Sequence, residues 1–231
     1  MDISIIIVTW NIKDRARECL RSVFEYGKGI NLEIFVVDNG STDGTPDMVA
    51  NEFPNVKLIK NNYNAGFSKA NNQAIARSLG RYILLLNPDM KIQPGCLQNM
   101  ISFMYSRQQV GVAGCKLVDE KGNVISHVRS FPTLFDQLAI VLKLPHLFPR
   151  MLDKYLCQDF DYSKEANVDS IRGSFFMIRR EVIEKLGGLD ERYFIWFEEV
   201  DYCRQVKNAG WKVAYNPNAT CIDYVGATFK K

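Results

Sequence analysis

The sequence predicts an α/β fold in a single domain, with a mostly parallel central sheet flanked by helices and a mixed C-terminal half. Short runs rich in Val, Ile and Leu alternate with helix-period segments in the first half, which is typical of a parallel sheet covered on both faces. Hydrophobic residues make up 47% of the 231 residues and charged residues 24%, so the chain has ample material for a core. No stretch resembles a flexible linker rich in Gly, Ser or Pro, which favours one domain over two.

Strand-helix units occupy the first half of the chain. They are ISIIIVT with KDRARECLRSVFEYG, EIFVVD with TPDMVANEF, VKLIK with FSKANNQAIARSLG, and RYILLLN with PGCLQNMISFMYSR. Thr45, Pro46 and Asp47 are typical of the N-cap, first position and first-turn acid of the second helix, and Gly80 of the end of the third. We therefore expect parallel strands joined by helices.

The second half follows a different pattern. After GVAGCKLV, the turn sequence DEKGN predicts a hairpin before the strand VISHV, and residues 130–167 are irregular. The strand-like SFFMIRR, the helical VDYCRQVKNAG and a final pair of short strands, WKVAYN and ATCIDYV, come next. This mixture predicts that the second half adds both strands and helices to the sheet.

The bulk properties exclude several classes of function. The net charge of +3, from 29 basic and 26 acidic residues without a Lys/Arg block, gives no basis for a nucleic-acid partner. Six cysteines without C-x-x-C spacing indicate neither a zinc site nor a disulfide framework. The start, MDISIIIVTWN, predicts a strand and not a secretion signal, and no segment reaches the ~18 apolar residues of a membrane-spanning helix. We therefore expect a cytoplasmic protein with reduced thiols.

Polar residues follow the ends of the predicted strands, at the edge where open parallel sheets bind ligands. Asp38, in VVDNGSTDGT, is able to accept hydrogen bonds from a base or ribose, but a turn-forming cap explains the same letters. Asp89, in LLLNPDM, offers a hard oxygen ligand that could hold Mg²⁺ or Mn²⁺ against a diphosphate, with Asn87 assisting. A Pro-Asp turn before the next helix explains this tripeptide equally well. The familiar glycine-rich phosphate loops are absent.

Three carboxylates crowd the stretch FIWFEEVDYC, namely Glu198, Glu199 and Asp201. Like charges at short range and apolar neighbours raise carboxyl pKa values, so such a cluster is costly unless it serves a function. The other interpretation is a solvated first helical turn, because a helix dipole stabilises acids near its N-terminus. The residues alone leave both interpretations open.

Together these segments resemble the inverting family 2 glycosyltransferases of the GT-A fold, in particular the branch of bacterial rhamnosyltransferase-like enzymes. The resemblance covers nearly the whole chain and is carried by the order and spacing of IIIVTWN, VVDNGSTDGT, the run from Asn64 to Asn72, LLLNPD, GSFFMIRREVIEKLGGLDE and FEEVDYCRQVKNAGW. It implies a GT-A domain over residues 1–231 with a Rossmann-like sheet. Residues 1–116 would form the nucleotide-sugar-binding half, and residues 117–231 the half that binds the acceptor and carries the catalytic base.

The resemblance also implies a substrate class. The donor would be a nucleoside-diphosphate sugar (UDP- or dTDP-linked, with dTDP-rhamnose as one candidate), and the acceptor a saccharide or lipid-linked saccharide in cell-surface polysaccharide synthesis. Thr9, Asn11 and Asp38 would lie against the nucleoside, and Asn72 would belong to the same lining.

The metal and the base follow from the same resemblance. Asp89 matches the last acid of the family's D-x-D-like motif for Mg²⁺ or Mn²⁺, in which Asn87 holds the first position. Glu199 matches the general base, as a glutamate where the family usually has aspartate, and Glu198 would orient the acceptor or tune the pKa. Asp223 stands where many relatives carry a metal-binding histidine; a strand-end residue is the alternative.

Two other functions stay open at this point. Glutamate at position 199 and aspartate at position 223 suggest a non-catalytic nucleotide-sugar-binding module that keeps the fold. A nucleotidyltransferase is the second alternative, although TWNIKDR supplies only Lys13 and Arg15 where such an enzyme is expected to carry a glycine- and basic-rich phosphate loop.

The segment from Leu134 to Tyr155 is apolar, interrupted by Pro145 and Pro149, and dotted with basic residues. It suggests peripheral contact with the inner face of the cell membrane, where a lipid-linked acceptor would be met. A core-packed helix with a proline break, a lining of the acceptor site and a homodimer contact are the alternatives.

Overall fold

A mixed β-sheet organises residues 1–224, the part of the chain that the structure, a computed structural model, describes. Its strands are β1 (Ile3–Thr9), β2 (Leu32–Asn39), β3 (Lys57–Asn61), β4 (Tyr82–Leu86), β5 (Met90–Ile92), β6 (Val110–Val118), β7 (Ala166–Val168), β8 (Phe175–Arg179) and β9 (Lys212–Asp223). They lie in the order β3-β2-β1-β4-β8-β6-β9-β5, and β7 pairs with β9. β1 to β4 pair in parallel, whereas β8 is antiparallel to β4 and β6. The α/β class is confirmed.

Helices flank the sheet and connect most of its strands. They are α1 (Lys13–Tyr26), α2 (Thr45–Glu52), α3 (Phe67–Ile75), α4 (Cys96–Ser106), α5 (Leu134–Val141), α6 (Asp153–Leu156), α7 (Arg180–Leu186) and α8 (Glu198–Asn208). Two short 3-10 turns, Leu144–His146 and Pro149–Leu152, lie between α5 and α6.

Both faces of the central strands are buried, which explains their near-continuous apolar sequences. In β1, Ile3, Ile5 and Ile7 belong to one hydrophobic cluster, to which α1 and α4 contribute side chains. Ile6 belongs to a second cluster on the opposite face, to which α3 and α8 contribute. Alternate residues therefore pack on different layers, and the strand tolerates few polar side chains.

The structure corrects the predicted end of the sheet. WKVAYN and ATCIDYV form one strand, β9, instead of two. Its partner register jumps from Asn216 opposite Cys115 to Thr220 opposite Lys116, so the intervening residues bulge outward while pairing resumes beyond them. The short strand β5, which was not predicted, pairs antiparallel with the end of β9.

Three local predictions also differ from the structure. The N-cap of α2 is Gly44 at φ +81°, and Asp43, not Thr45, binds the first turn by accepting from the Thr45 backbone N–H. Helix α3 ends at Ile75, before Gly80. DEKGN does form a turn, but VISHV contributes only an isolated bridge between Val124 and Val118.

The segment that contains α5 is exposed, so the alternative of a core-packed helix is wrong. Of α5 only Ala139 is buried. A capping box stabilises the helix locally, because Thr133 and Asp136 each accept a hydrogen bond from the other's backbone N–H. Within residues 1–224, the structure contains no helix with the length and apolar character needed to cross a bilayer.

Candidate active site

A cavity of about 420 Å³ opens at the carboxyl ends of β1 and β4. These two strands lie side by side, with β2 and β3 beyond β1 in one direction and β8 beyond β4 in the other, which is where the order of strands reverses. The cavity brings together six of the predicted site residues: Thr9, Asn87, Asp89, Glu198, Glu199 and Asp223. Residues that lie up to 214 positions apart in the sequence, such as Thr9 and Asp223, thus share one space.

Two carboxylates lie side by side on the floor of this cavity. Asp223, at the end of β9, is the register partner of Met90, and the Tyr224 backbone N–H donates to the Asp89 carbonyl (3.1 Å). Burial raises the pKa of Asp223, and the nearby Asp89 charge raises it further. In residues 1–224 no three His, Cys, Asp or Glu side chains gather as a metal site. A cation here would therefore complete its coordination with substrate oxygens and water, as Mg²⁺ does at carboxylate-phosphate sites. Val225–Thr228, the rest of the predicted motif after Asp223, lie outside the described residues.

Arg172 is a cavity residue that sequence reasoning missed. It precedes β8 and its Nη1 donates to Asp223 Oδ2 (3.0 Å), while its charge opposes the rise in pKa of both Asp223 and Glu199. The only sequence signal is an arginine directly before an apolar strand whose neighbours carry the other site residues. Arg172 therefore links the carboxylate pair electrostatically to the acids of α8.

The acid cluster lies in a first helical turn, as one interpretation predicted, but its two glutamates are not solvated. Glu198, Glu199 and Asp201 occupy the first turn of α8, yet Glu198 is only 5% exposed. Burial first, and then the charge of Glu199, raise the pKa of Glu198 to about 7. Burial also raises the pKa of Glu199, against the opposing charge of Arg172. The Oε2 atoms of Glu198 and Glu199 are buried without a hydrogen-bond partner, so the pair is placed for a ligand and not for solvent.

Strained backbone precedes these acids. Trp196 (φ +71°) and Phe197 (φ +68°) both adopt the left-handed conformation, which is costly for bulky side chains. The loop is held on α3, because the Phe67 backbone N–H donates to the Phe194 carbonyl (2.8 Å). Gly66 lies in this contact at φ +81°, and a Cβ there would come within 2.6 Å of the Phe194 carbonyl oxygen. The first half of the chain thus positions the acids of the second half.

Asp38 serves as the turn cap that its sequence allowed. Thr9 Oγ1 donates to Asp38 Oδ1 (3.0 Å), and the Ser41 backbone N–H donates to Asp38 Oδ2 (2.9 Å). Asn11 joins the same two loops, since its Oδ1 accepts from the Thr42 backbone N–H (2.7 Å). Neither Asp38 nor Asn11 lines the cavity, although Thr9 does. Both residues lie beside the cavity edge and hold together the loops that follow β1 and β2.

Asn72 is likewise outside the cavity. Its Oδ1 accepts from the Leu189 backbone N–H (2.9 Å), and its Nδ2 donates to the Leu189 carbonyl (2.8 Å) and to Glu191 Oε1 (3.1 Å). These hydrogen bonds use both the oxygen and the nitrogen of the Asn72 side chain, and they connect α3 to residues 187–191. The structure therefore gives Asn72 a packing role and does not bring it to the other site residues.

The raised pKa of Glu198 predicts a pH-dependent stability. The folded protein keeps this proton up to about pH 7, whereas the unfolded chain releases it near 4.5, so ionisation destabilises the fold between these values. We expect the free energy of unfolding of Glu198→Gln to exceed that of the wild type, and the excess to be about 2 kcal/mol larger at pH 8 than at pH 5. Urea unfolding at both pH values measures the difference.

The wild type and the variant must be compared at each pH because His127 changes the stability of the fold with pH in the direction opposite to Glu198. Burial lowers the pKa of His127 from 6.5 to about 3, so this residue favours folding as the pH rises through that range, equally in both proteins. Glu184→Gln, on the exposed side of α7, is the matched control and should show no pH-dependent gain. An equal gap between Glu198→Gln and the wild type at pH 5 and pH 8 would contradict the assignment.

The sequence profile described as glycosyl transferase family 2 matches residues 4–187. The chain belongs to this family. Among curated relatives of this family 2 member, the N-acetylglucosaminyl-diphospho-decaprenol L-rhamnosyltransferase of Mycobacterium tuberculosis is 30% identical over 207 residues, which are 84% of this chain and 66% of that protein. Rhamnosyltransferase WbbL of Escherichia coli K12 is 28% identical over 69% of this chain and 61% of its own length. The family 2 chain is thus shorter than these relatives.

Solved structures show the same fold. The mannosyltransferase PcManGT of Pyrobaculum calidifontis, in complex with GDP-Man and Mn²⁺, superposes with a TM-score of 0.69 at 22% identity and covers 96% of this chain and 56% of its own. Residues 1–349 of S. aureus TarS in complex with UDP-GlcNAc give 0.66 at 18% identity, over 96% and 58% of the two chains. The family 2 domain therefore has the GT-A fold, as the sequence predicted.

Proposed function

We propose that the chain is a metal-dependent inverting glycosyltransferase of cell-surface polysaccharide synthesis. It would move a sugar from a UDP- or dTDP-linked donor, dTDP-rhamnose among them, to a saccharide or lipid-linked saccharide. The observation that carries the proposal is that Asp89 and Glu199 line one cavity, because inversion needs a base and a leaving-group stabiliser on opposite sides of the anomeric carbon. In this proposal residues 1–116 bind the donor and residues 117–231 bind the acceptor and supply the base.

Glu199 is the better candidate of the two glutamates for the general base. Two carboxylates this close share a proton, and the Arg172 charge favours the ionised form of Glu199, whereas the Glu199 charge favours the protonated form of Glu198. An ionised Glu199 accepts the proton of the acceptor hydroxyl as that oxygen attacks the anomeric carbon and the bond to the diphosphate breaks. The protonated form of Glu198, which burial and the Glu199 charge favour, is placed to donate a hydrogen bond to a sugar hydroxyl.

The chemistry of the cavity fits a divalent cation. Asp89 and Asp223 present adjacent carboxylates, and Asn87 lines the same wall. Mg²⁺ or Mn²⁺ bound there would stabilise the negative charge that builds on the departing diphosphate. Arg172 bonds to only one oxygen of Asp223, Oδ2. One curated relative is named for the donor UDP-Glc, and one superposed mannosyltransferase was solved with GDP-Man and Mn²⁺, which supports a nucleotide-sugar donor and a divalent cation.

Release of nucleoside diphosphate tests this function. The chain should hydrolyse or transfer from at least one of a panel of UDP-, dTDP- and GDP-sugars in the presence of Mn²⁺, and EDTA should stop it. Donor-induced thermal stabilisation without release of diphosphate would favour the alternative of a non-catalytic binding module. Release of pyrophosphate from a nucleoside triphosphate would favour a nucleotidyltransferase.

The exposed apolar side chains around α5 support peripheral contact with the membrane. This apolar surface consists of Leu134, Phe135, Leu138, Ile140, Val141, Leu142, Leu147 and Phe148. Lys143, Arg150 and Lys154 are interspersed with it or follow it, and basic residues beside apolar ones favour anionic lipid. Relatives are named for acceptors on decaprenol and undecaprenol diphosphates, which reside in membranes. We therefore include the inner face of the cell membrane in the proposed location.

Charged substitutions on this apolar surface should abolish lipid binding. We expect Leu138→Glu combined with Leu142→Glu to reduce flotation with mixed phosphatidylglycerol and phosphatidylcholine vesicles about tenfold or more, because two insertion contacts are lost. The melting temperature should stay unchanged, since both side chains are exposed. Leu79→Glu, at a 70% exposed leucine elsewhere, is the matched control and should float like the wild type.

The alternative of a homodimer gives a different result. If the chain is a dimer without lipid and the double variant is a monomer, the apolar surface is a subunit contact and the membrane proposal is overturned.

A further inference from the structure

A second cavity, of about 230 Å³, adjoins the first on the side of the acceptor half. The two cavities share Arg172, Trp196 and Glu199 in their linings. Glu199 is thus the acid that faces both spaces, whereas Glu198 lines only the first. A molecule in the second cavity therefore lies next to the proposed base, in a space that Asp89 and Asn87 do not line.

The second cavity is rich in positive charge. Arg129 and Arg172 line it, and Glu199 is its acid. Arg172 has Asp223 as an ion-pair partner, whereas Arg129 makes no ion pair with any of residues 1–224. The guanidinium of Arg129 donates instead to the carbonyls of Ser126, Val128 and Leu156 and to Ser126 Oγ. These hydrogen bonds fix the position of the Arg129 guanidinium, but no carboxylate within the described residues neutralises its charge. A fixed guanidinium of this kind is suited to binding an anion.

A buried histidine independently indicates a ligand. His127 lines the second cavity, is 4% exposed, and has at most a weak contact with the Cys115 backbone at its ring nitrogens. Buried polar groups without partners are rare in folded proteins and commonly mark a site for a ligand or water. Burial and the charges of Arg172 and Arg129 keep its pKa at about 3, so the ring is neutral and offers one donor and one acceptor.

We infer that the second cavity binds the acceptor through an anionic group, a phosphate or diphosphate attached to the acceptor sugar, with Arg129 as the principal positive contact. This inference rests on the proposed function and names the substrate class of the acceptor side. Glu199 receives the hydroxyl proton at one end of the sugar, and Arg129 holds the charge at the other. Tyr155, which lines the cavity, follows the apolar surface in the chain, so a lipid attached to the phosphate would meet this part of the chain.

Binding in the presence of saturating UDP and Mn²⁺ tests this inference, because the donor site is then filled. Calorimetry compares three probes: N-acetylglucosamine 1-phosphate, N-acetylglucosamine and inorganic phosphate. We expect the sugar phosphate to bind at least about tenfold more tightly than either of the others, as one hydrogen bond to a charged group contributes that much. Equal affinity for inorganic phosphate would show a simple anion site, and equal affinity for the neutral sugar would show no anion recognition; either overturns the inference.

Variants assign the effect to Arg129. Arg129→Gln should remove the preference for the sugar phosphate, Arg129→Lys should keep most of it, and the exposed control Arg77→Gln should keep all of it. Retained binding of UDP and Mn²⁺ by Arg129→Gln shows that the variant is folded. A preference that survives in a folded Arg129→Gln protein overturns the inference. If the wild type binds neither UDP nor dTDP with Mn²⁺, the proposed function itself is contradicted; if it binds only dTDP, dTDP replaces UDP in the binding experiment.

Discussion

Replacing Glu199 by Gln should lower kcat about a thousandfold, because general-base catalysis contributes between 10² and 10⁴ in rate and amide nitrogen and oxygen accept protons poorly. The side chain keeps its size and the cavity its shape, so the dissociation constant of UDP with Mn²⁺ should change less than threefold, roughly, as expected for an interaction made mainly in the transition state. Release of nucleoside diphosphate in the presence of acceptor measures kcat, and calorimetry measures binding.

Asp201→Asn is the matched control. Asp201 lies in the same turn of α8 and loses the same charge, but it does not line either cavity and accepts a hydrogen bond from Gln205 Nε2 (2.6 Å). We expect its rate to stay near that of the wild type. An unimpaired Glu199→Gln enzyme would remove Glu199 as the base, and a loss of rate shared by both variants would indicate a general effect of helix charge.

Replacing Asp89 by Asn should weaken Mn²⁺-dependent binding of UDP about a hundredfold, because even residues behind a metal ligand alter metal affinity 10- to 100-fold. Asn keeps the shape but loses the charge that attracts the cation. Calorimetric titration of UDP with Mn²⁺ and with EDTA separates the metal-dependent part of the affinity from the rest. The residual affinity in EDTA should be the same in wild type and variant.

Asp47→Asn, at an exposed acid of α2 that pairs loosely with Lys60 (3.8 Å), removes an equal charge without touching the cavity. It should bind UDP and Mn²⁺ like the wild type. If Asp89→Asn also does so, the carboxylate of Asp89 is not the metal ligand, and Asp223 is the next candidate.

Local sequence patterns predicted the first half of the fold well. Buried parallel strands such as β1 need apolar side chains on both faces, and this requirement is visible in the letters ISIIIVT. β5 was missed because it is three residues long and is defined by its pairing with Cys221–Asp223, a contact across more than 120 positions. The single strand β9 was missed because Pro217 and Asn218 are turn residues, and only the partner β6 shows that pairing resumes after them.

The candidate site, like the fold, was predicted from the sequence only in part. The sequence resemblance named Asp89, Glu199 and Asp223, and the structure places all three in one cavity. Arg172 was missed because its role depends on an ion pair with a residue 51 positions away. Asn72 was predicted to line the nucleotide from its place in a motif, whereas its hydrogen bonds with Leu189, 117 positions away, cannot be read from the sequence.

The contact between Gly66 and the Phe194 carbonyl couples two parts of the molecule mechanically. Phe67 N–H, at the start of α3, holds the loop that carries the acids of α8, and there is no room for a larger residue at position 66. Any displacement of α3 would therefore move this loop and, with it, the acids at the start of α8. Under the proposed function, occupancy by the nucleotide and alignment of the reacting groups would thus not be independent events.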